Sequence, residues 1–348
     1  MGASSITTKN VDSDGVAAAS VTARDLTGAE RARTGGRLTF TGVEDLGGGM
    51  KAGFDYTANL YSGITEPTKV RRANISLSGG FGTVAIGSFD SNALDAVRGF
   101  SATTAGGAGG DFQARTATGA ALLGYATAVG VTGLTAADLS TGLSGSSSNA
   151  IVYALPAMGN LTANVAVVNQ SRVADTATPV TAAQKVNAYL LGAAYVDGPL
   201  TVKFGYGNAK RDQVVAAAPA AAGDFGKIAD TAIGASYNLG SVVPYATYET
   251  AKAKDQDGAF LKTTGYELGA KFPMGALTPY VSVASGKFSD EAGKFASTSA
   301  YQIGTTYDLS KRTYFYANYG QDKVKGTQAG DSSSAKRTGY NAGLVHQF

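Results

Sequence analysis

Residues 300–319 read AYQIGTTYDLSKRTYFYANY, and the reading of this stretch decides the fold. Tyr301, Ile303, Thr305 and Tyr307 recur at every second position, a polar turn spans Asp308–Arg312, and Phe315, Ala317 and Tyr319 then resume the alternation. A period of two is the period of a strand, whose successive side chains point to opposite faces. Two such runs joined by a short polar turn predict an antiparallel hairpin with one apolar face.

The hairpin recurs on both sides of that stretch. Toward the C-terminus, Tyr340, Ala342, Leu344, His346 and Phe348 share one face, with Gly339, Asn341, Gly343, Val345 and Gln347 on the other. Toward the N-terminus, residues 265–283 carry GYELGAKF, a Pro273-Met274-Gly275 turn and LTPYVSV. Residues 232–248 turn at Asn238–Gly240, and residues 189–206 turn at Asp197-Gly198-Pro199. Asp-Gly between two alternating runs is a strong hairpin signal. Earlier turns fall at Leu155–Asn160, Gly79–Gly82 and Glu44–Gly49. Seven short turns with a further strand at each end predict sixteen strands, joined on the opposite side by longer loops. This is the pattern of a transmembrane antiparallel β-barrel.

A second regularity points the same way. Tyr153, Tyr195, Tyr237, Phe272, Tyr307 and Phe348 each fall at the short-turn end of a strand. Around a barrel they form one ring at a single height, where amphipathic aromatic groups favour the lipid–water interface. In the competing reading, a soluble β-sandwich, Tyr is merely a good strand former. That fold needs one apolar core rather than sixteen similar faces.

Composition agrees. Glycine is abundant (47 residues), proline scarce (8), and charged residues make up 16%, against about 25% in typical soluble domains. Mean hydropathy is −0.03, and no segment approaches the roughly 20 apolar residues of a membrane helix. A barrel strand shows lipid only every second residue, so its hydropathy signal is weak. Cys is absent and the one His, His346, lies on the predicted lipid face. Neither a Ser-His triad nor a histidine metal site has support, and we expect no enzyme activity, no metal and no cofactor. The GGFG at 79–82 and GAGG at 107–110 match no phosphate-binding fingerprint. A net charge of +3, widely dispersed, argues against nucleic acid. The start, Met1-Gly2-Ala3-Ser4-Ser5, lacks the charged and apolar parts of a signal peptide, and reads as a mature form with a start Met added.

Four stretches, RLTFTGVEDLGGGMKAGF (37–54), RRANISLSGGFGTVAIG (71–87), YDLSKRT (307–313) and AGLVHQF (342–348), carry a resemblance to a known family. The chain resembles the trimeric sixteen-stranded general porins of Gram-negative outer membranes, in particular the beta-proteobacterial group. The resemblance implies one outer-membrane barrel over residues 1–348. It also implies passive diffusion of ions and small hydrophilic solutes, a homotrimer, and contact with outer-membrane lipid and lipopolysaccharide. The terminal Phe348 looks like the signal read by the barrel-assembly machinery. At the other end, the family's usual first strand begins SSVTLYG, whereas Ser4–Asn10 here reads SSITTKN, and alternation is poor as far as Arg33. The first strand therefore falls either there or later, near Gly15–Thr22.

The longest stretch between strands, residues 89–148, is the third long loop, which in the resembled family folds inward and narrows the pore. Its charges include Asp90, Asp95, Arg98, Asp111 and Arg115. Parity orients the wall. Leu38 and Phe40 face lipid, so Arg37 faces the lumen; Ile75 and Leu77 face lipid, so Arg72 does too. A lipid-facing Arg at mid-membrane would cost about 2–4 kcal/mol. Arg37 and Arg72 match members of the family's arginine cluster, whereas Ser146 and Thr41 stand where further arginines are expected. Lys51, Lys203 and Lys271 also face inward by parity, balanced by Asp55 and Glu267. The expectation is a weakly anion-selective pore. The alternatives are a solute-specific porin with a binding site in the third loop, and a non-channel structural β surface protein.

Overall fold

The computed structural model describes residues 2–11, 21–27, 36–60, 69–89, 100, 147–173, 183–213, 225–255, 260–328 and 331–346. Within them every regular element is a strand. The N-terminal part forms β1 (Gly2–Val11), β2 (Val21–Thr27), β3 (Gly36–Gly47), β4 (Met50–Leu60), β5 (Lys69–Gly79) and β6 (Gly82–Phe89). After a long interval come β7 (Ser147–Ala154), β8 (Leu161–Val173), β9 (Ala183–Asp197), β10 (Leu200–Gln213) and β11 (Phe225–Tyr237). The series ends with β12 (Val243–Asp255), β13 (Phe260–Lys271), β14 (Leu277–Asp290), β15 (Gly293–Ser310), β16 (Thr313–Gln328) and β17 (Asp331–His346).

All seven short turns foreseen in the sequence join consecutive strands: β3–β4, β5–β6, β7–β8, β9–β10, β11–β12, β13–β14 and β15–β16. The first of them runs through Gly47, Gly48 and Gly49, each with a positive φ between 61° and 79°. Only glycine holds three successive residues there without a Cβ clash. From β3 to β17 each strand pairs antiparallel with the next, and β17 pairs antiparallel with β1, placing Ala3 opposite Ala342. β1 in turn pairs with β2.

The covalent chain forces this sheet to curl. Laid flat, seventeen strands at about 4.8 Å spacing would set β2 roughly 77 Å from β3. Yet Thr27 and Gly36 are nine residues apart, a reach of about 32 Å at most.

Among the described residues there are seventeen strands, one more than the sixteen that turn counting predicts. The difference lies at the N-terminus: Ser4–Asn10 falls within β1, and a further strand, β2, forms at Val21–Thr27, which meets the later candidate region only at Val21 and Thr22, residues 12–20 lying outside the described residues. β1 is held by backbone pairing with β17, which needs no side-chain alternation. An odd count has a geometric consequence. With every other step antiparallel, β2 and β3 run in the same direction.

The two faces differ as parity predicts. Along β13 and β14, buried and exposed positions alternate. Large apolar side chains lie on the outer face, including Leu38, Phe40, Ile75, Leu191, Ile303 and Leu344. The inner face carries the buried polar groups, among them Asp230, Thr263, Glu267, Gln302 and Asp322. Apolar-out with polar-in inverts a water-soluble protein and suits a wall between lipid and water.

Candidate functional site

Glycine shapes the inner wall. Tyr245 of β12 lies over Gly269 of β13, where an added Cβ would come 2.4 Å from the ring. Tyr280 of β14 lies over Gly304 of β15 in the same way, at 2.6 Å. Both rings therefore lie flat against the wall instead of projecting across the lumen. Tyr245 donates a 2.6 Å hydrogen bond to the Glu267 carboxylate, and Gln302 reaches the Tyr280 hydroxyl at 3.5 Å.

Phe100 sits on this wall. It lies in the stretch between β6 and β7 and is buried against Ala232, Tyr245 and Tyr280. The Lys203 ammonium of β10 stands 5.5 Å from its ring centroid, and Lys271 stands 5.7 Å from that of Tyr245. Strands β10 to β14 lie four to eight strands along the sheet from β6, where this stretch begins. Lys203, Ala232, Tyr245 and Tyr280 all occupy the inner face. Phe100 therefore stands on the inner face, well along the sheet from β6.

Across the lumen, Arg72 of β5 donates from Nε to Asp55 Oδ1 at 3.1 Å, and from its terminal nitrogen to the Thr57 hydroxyl at 3.0 Å. The side chains of Arg72 and Asp55 keep 32% and 27% of their surface exposed, whereas Asp230, Glu267 and Asp322 keep 4% or less. The Arg72–Asp55 pair is thus more open to solvent than those three carboxylates, so ions in the bore sense it more directly. Solvent screening falls away for charges out of water, but so does their contact with passing ions.

The remaining foreseen residues distribute as follows. Lys203 and Lys271 face inward, and both join the aromatic cluster. Lys51 follows Met50 directly after the β3–β4 turn, at the mouth of the barrel. Arg37 lies in β3 opposite Asn59. Its side chain, and all of Asp90, Asp95, Arg98, Asp111, Arg115, Ser146 and Phe348, lie outside the described residues. Tyr153, Tyr195, Tyr237, Phe272 and Tyr307 all lie at the short-turn ends of their strands. Among these, Tyr153 donates to the Phe81 carbonyl at 2.7 Å and Tyr195 to Asp197 at 3.2 Å. His346 on the outer face stands 2.8 Å from the Thr313 hydroxyl, an anchoring contact near the barrel rim. Sequence reasoning missed Phe100, Tyr245 and Tyr280. For the last two the signal was present, as inward-parity tyrosines facing glycines across a strand pair.

An apolar outer face, a polar inner face and Phe100 docked on that inner face together describe a membrane pore. The sequence profile of Gram-negative porins matches residues 2–327. The chain belongs to the Gram-negative porin family. This porin is similar in fold to an anion-selective porin from Comamonas acidovorans, with 23% identity, 99% of each chain covered and a TM-score of 0.64. The trimer form of OmpT from Vibrio cholerae shares 12% identity over 100% of this chain and 98% of its own, with a TM-score of 0.60. Salmonella typhi OmpF, in complex with daunomycin, shares 15% identity over 98% and 96%, with a TM-score of 0.58. No curated protein matches the porin in sequence. The porin is a multi-pass β-barrel of the outer membrane and a passive diffusion channel.

Proposed function

We propose that the porin passes ions and small hydrophilic solutes without catalysis, as a homotrimer, with a weak preference for anions. The observation that carries this reading is the unequal exposure of the inward charges. Four of the described inward carboxylates, Asp230, Glu249, Glu267 and Asp322, lie on the β11–β16 side, where Asp230, Glu267 and Asp322 are covered. The cation of Arg72 lies on the open side, partly offset by Asp55. Such near-balance favours anions only modestly. Residues 89–148 form the constriction in this reading, supported by Phe100 on the far wall. On the outer face, a groove of about 850 Å³ lined by Glu44, Phe54, Ile75, Leu77 and Ile86 supports β3–β6 as the trimer contact. The partners outside the pore are outer-leaflet lipopolysaccharide and the barrel-assembly machinery, the latter reading Phe348.

The test is the zero-current potential of the purified trimer in a planar bilayer under a salt gradient. Stepwise conductance with a small anion-sided potential is the expected result. A cation-sided potential would overturn the anion preference, and silence from folded protein would overturn the open channel.

A further inference from the structure

Two hairpins carry the same four-residue box on the outer face. In β9–β10, Tyr189 stands opposite Asn208 and Leu191 opposite Tyr206. In β15–β16, Tyr301 stands opposite Gln321 and Ile303 opposite Tyr319. The two tyrosines of each box are diagonal neighbours, in the same sense in both hairpins. The diagonal brings the rings together: the centroids of Tyr189 and Tyr206 are 6.0 Å apart at 41°, and those of Tyr301 and Tyr319 are 6.4 Å apart at 47°. Within each pair the hydroxyls share a hydrogen bond.

The pairs also stand at one height. Tyr189 lies six residues from Tyr195 of the aromatic girdle at the short turns, and Tyr301 lies six from Tyr307. Six residues at about 3.3 Å each, tilted by about 40°, climb roughly 15 Å, which is inside the apolar band of about 25 Å. A phenol there has no water to bond, so each hydroxyl takes the other as its partner. Tyr189, Tyr301 and Tyr319 keep 47%, 39% and 44% of their surface open to the acyl chains. Ring packing alone asks only for centroids about 4.5–7 Å apart. The converging hydroxyls are an additional feature, and they bring the ortho carbons of the two phenols together.

Composition makes these phenols the groups open to one-electron oxidation. The chain has no Cys and no Trp, so no thiol or indole competes for the radical. Met takes up oxygen by a separate route, to the sulfoxide.

We propose that the Tyr189–Tyr206 and Tyr301–Tyr319 pairs quench peroxyl radicals of the surrounding lipid and are cross-linked by doing so. Each peroxyl radical takes the hydrogen atom of one phenol O–H and leaves as a lipid hydroperoxide. The two phenoxyl radicals of a pair then join through a carbon–carbon bond between their ortho positions. The hydrogen on each of those carbons moves to the neighbouring oxygen, restoring both phenols. Two peroxyl radicals are reduced, two tyrosines are oxidised, and the linked pair is two hydrogens lighter. The product staples β9 to β10 and β15 to β16. Tyr206 follows Tyr189 by seventeen residues and Tyr319 follows Tyr301 by eighteen, loops long enough for a cross-link to restrict the unfolded chain.

The test embeds the folded porin in liposomes of polyunsaturated phosphatidylcholine and generates peroxyl radicals with a lipid-soluble azo initiator. Peptide mass spectrometry should find Tyr189 joined to Tyr206 and Tyr301 joined to Tyr319, each product two hydrogens lighter. Y206F/Y319F keeps the rings and removes one O–H from each pair; it should lose both cross-links and unfold at a lower temperature than the oxidised wild type. Uncoupled tyrosines in fully peroxidised liposomes would overturn the proposal. So would cross-links chiefly between other tyrosines, such as Tyr319 and Tyr340, which stand directly opposite each other. A higher yield from a water-soluble initiator would overturn lipid radicals as the substrate. Conductance before oxidation should be the same in wild type and variant, which keeps this outcome separate from the pore reading.

Discussion

Replacing Phe100 with Ala tests whether the stretch between β6 and β7 is held to the far wall by one side chain. Phe100 is buried to 7% exposure against Tyr245 and Tyr280. Burying a Phe side chain is worth about 1.5–3 kcal/mol, and the Lys203 ammonium over its ring adds about 0.5–1 kcal/mol. A cavity term on top would take the loss toward the 3–5 kcal/mol of a Phe→Ala change in a sealed core. In a hydrated lumen water refills the vacated space, so a loss of about 2–3 kcal/mol is appropriate. At 1.4 kcal/mol per factor of ten, the undocked population then rises roughly 30- to 150-fold. Single-channel recording at fixed voltage reads this directly. The wild type should hold one quiet level, and F100A should show excess current noise with visits to a second level. F100L, which keeps most of the apolar burial, should resemble the wild type. A folded F100A trimer with wild-type conductance and wild-type noise would refute the reasoning.

Other perturbations separate the remaining contributions. R72Q removes the partly exposed cation and leaves Asp55 facing the bore, so the zero-current potential should move toward cation preference; D55N should move it the other way, and shifts in one direction for both would contradict the pairing. G269A places a Cβ 2.4 Å from the Tyr245 ring; displacing that ring into the lumen should cost about 1–3 kcal/mol as overpacking. The expected readout is earlier thermal unfolding of the barrel with lower conductance, and neither change would show that the ring yields freely.

Much of the fold was legible because barrel strands obey two local rules. Alternation is written residue by residue, and a short turn needs particular residues, as at Gly47–Gly49 and Asp197-Gly198. From β3 to β17 these rules located the seven turns on one side of the sheet, but on the other side, where longer loops were expected, they missed the two-residue β14–β15 turn at Glu291-Ala292. They failed where pairing rests on backbone alone: β1 lacks alternation, so neither its pairing with β17 nor the odd strand count could be read.

The sequence by itself determined which residues face lipid and which face water, because period two is a property of the single strand. It therefore oriented Arg72, Lys203, Asp55 and Glu267 toward the lumen. What only the tertiary structure decided is which inward groups meet. Phe100 reaches Lys203, Tyr245 and Tyr280 from as much as 180 residues away, in a Gly-rich stretch with no periodicity to announce it. Curling the sheet sets β5 across from β11–β16, and there the Arg72 side chain keeps 32% of its surface exposed while Glu267 is buried. Parity assigns a side chain to a face, but neighbours across an enclosed space depend on curvature and closure, which no single strand encodes.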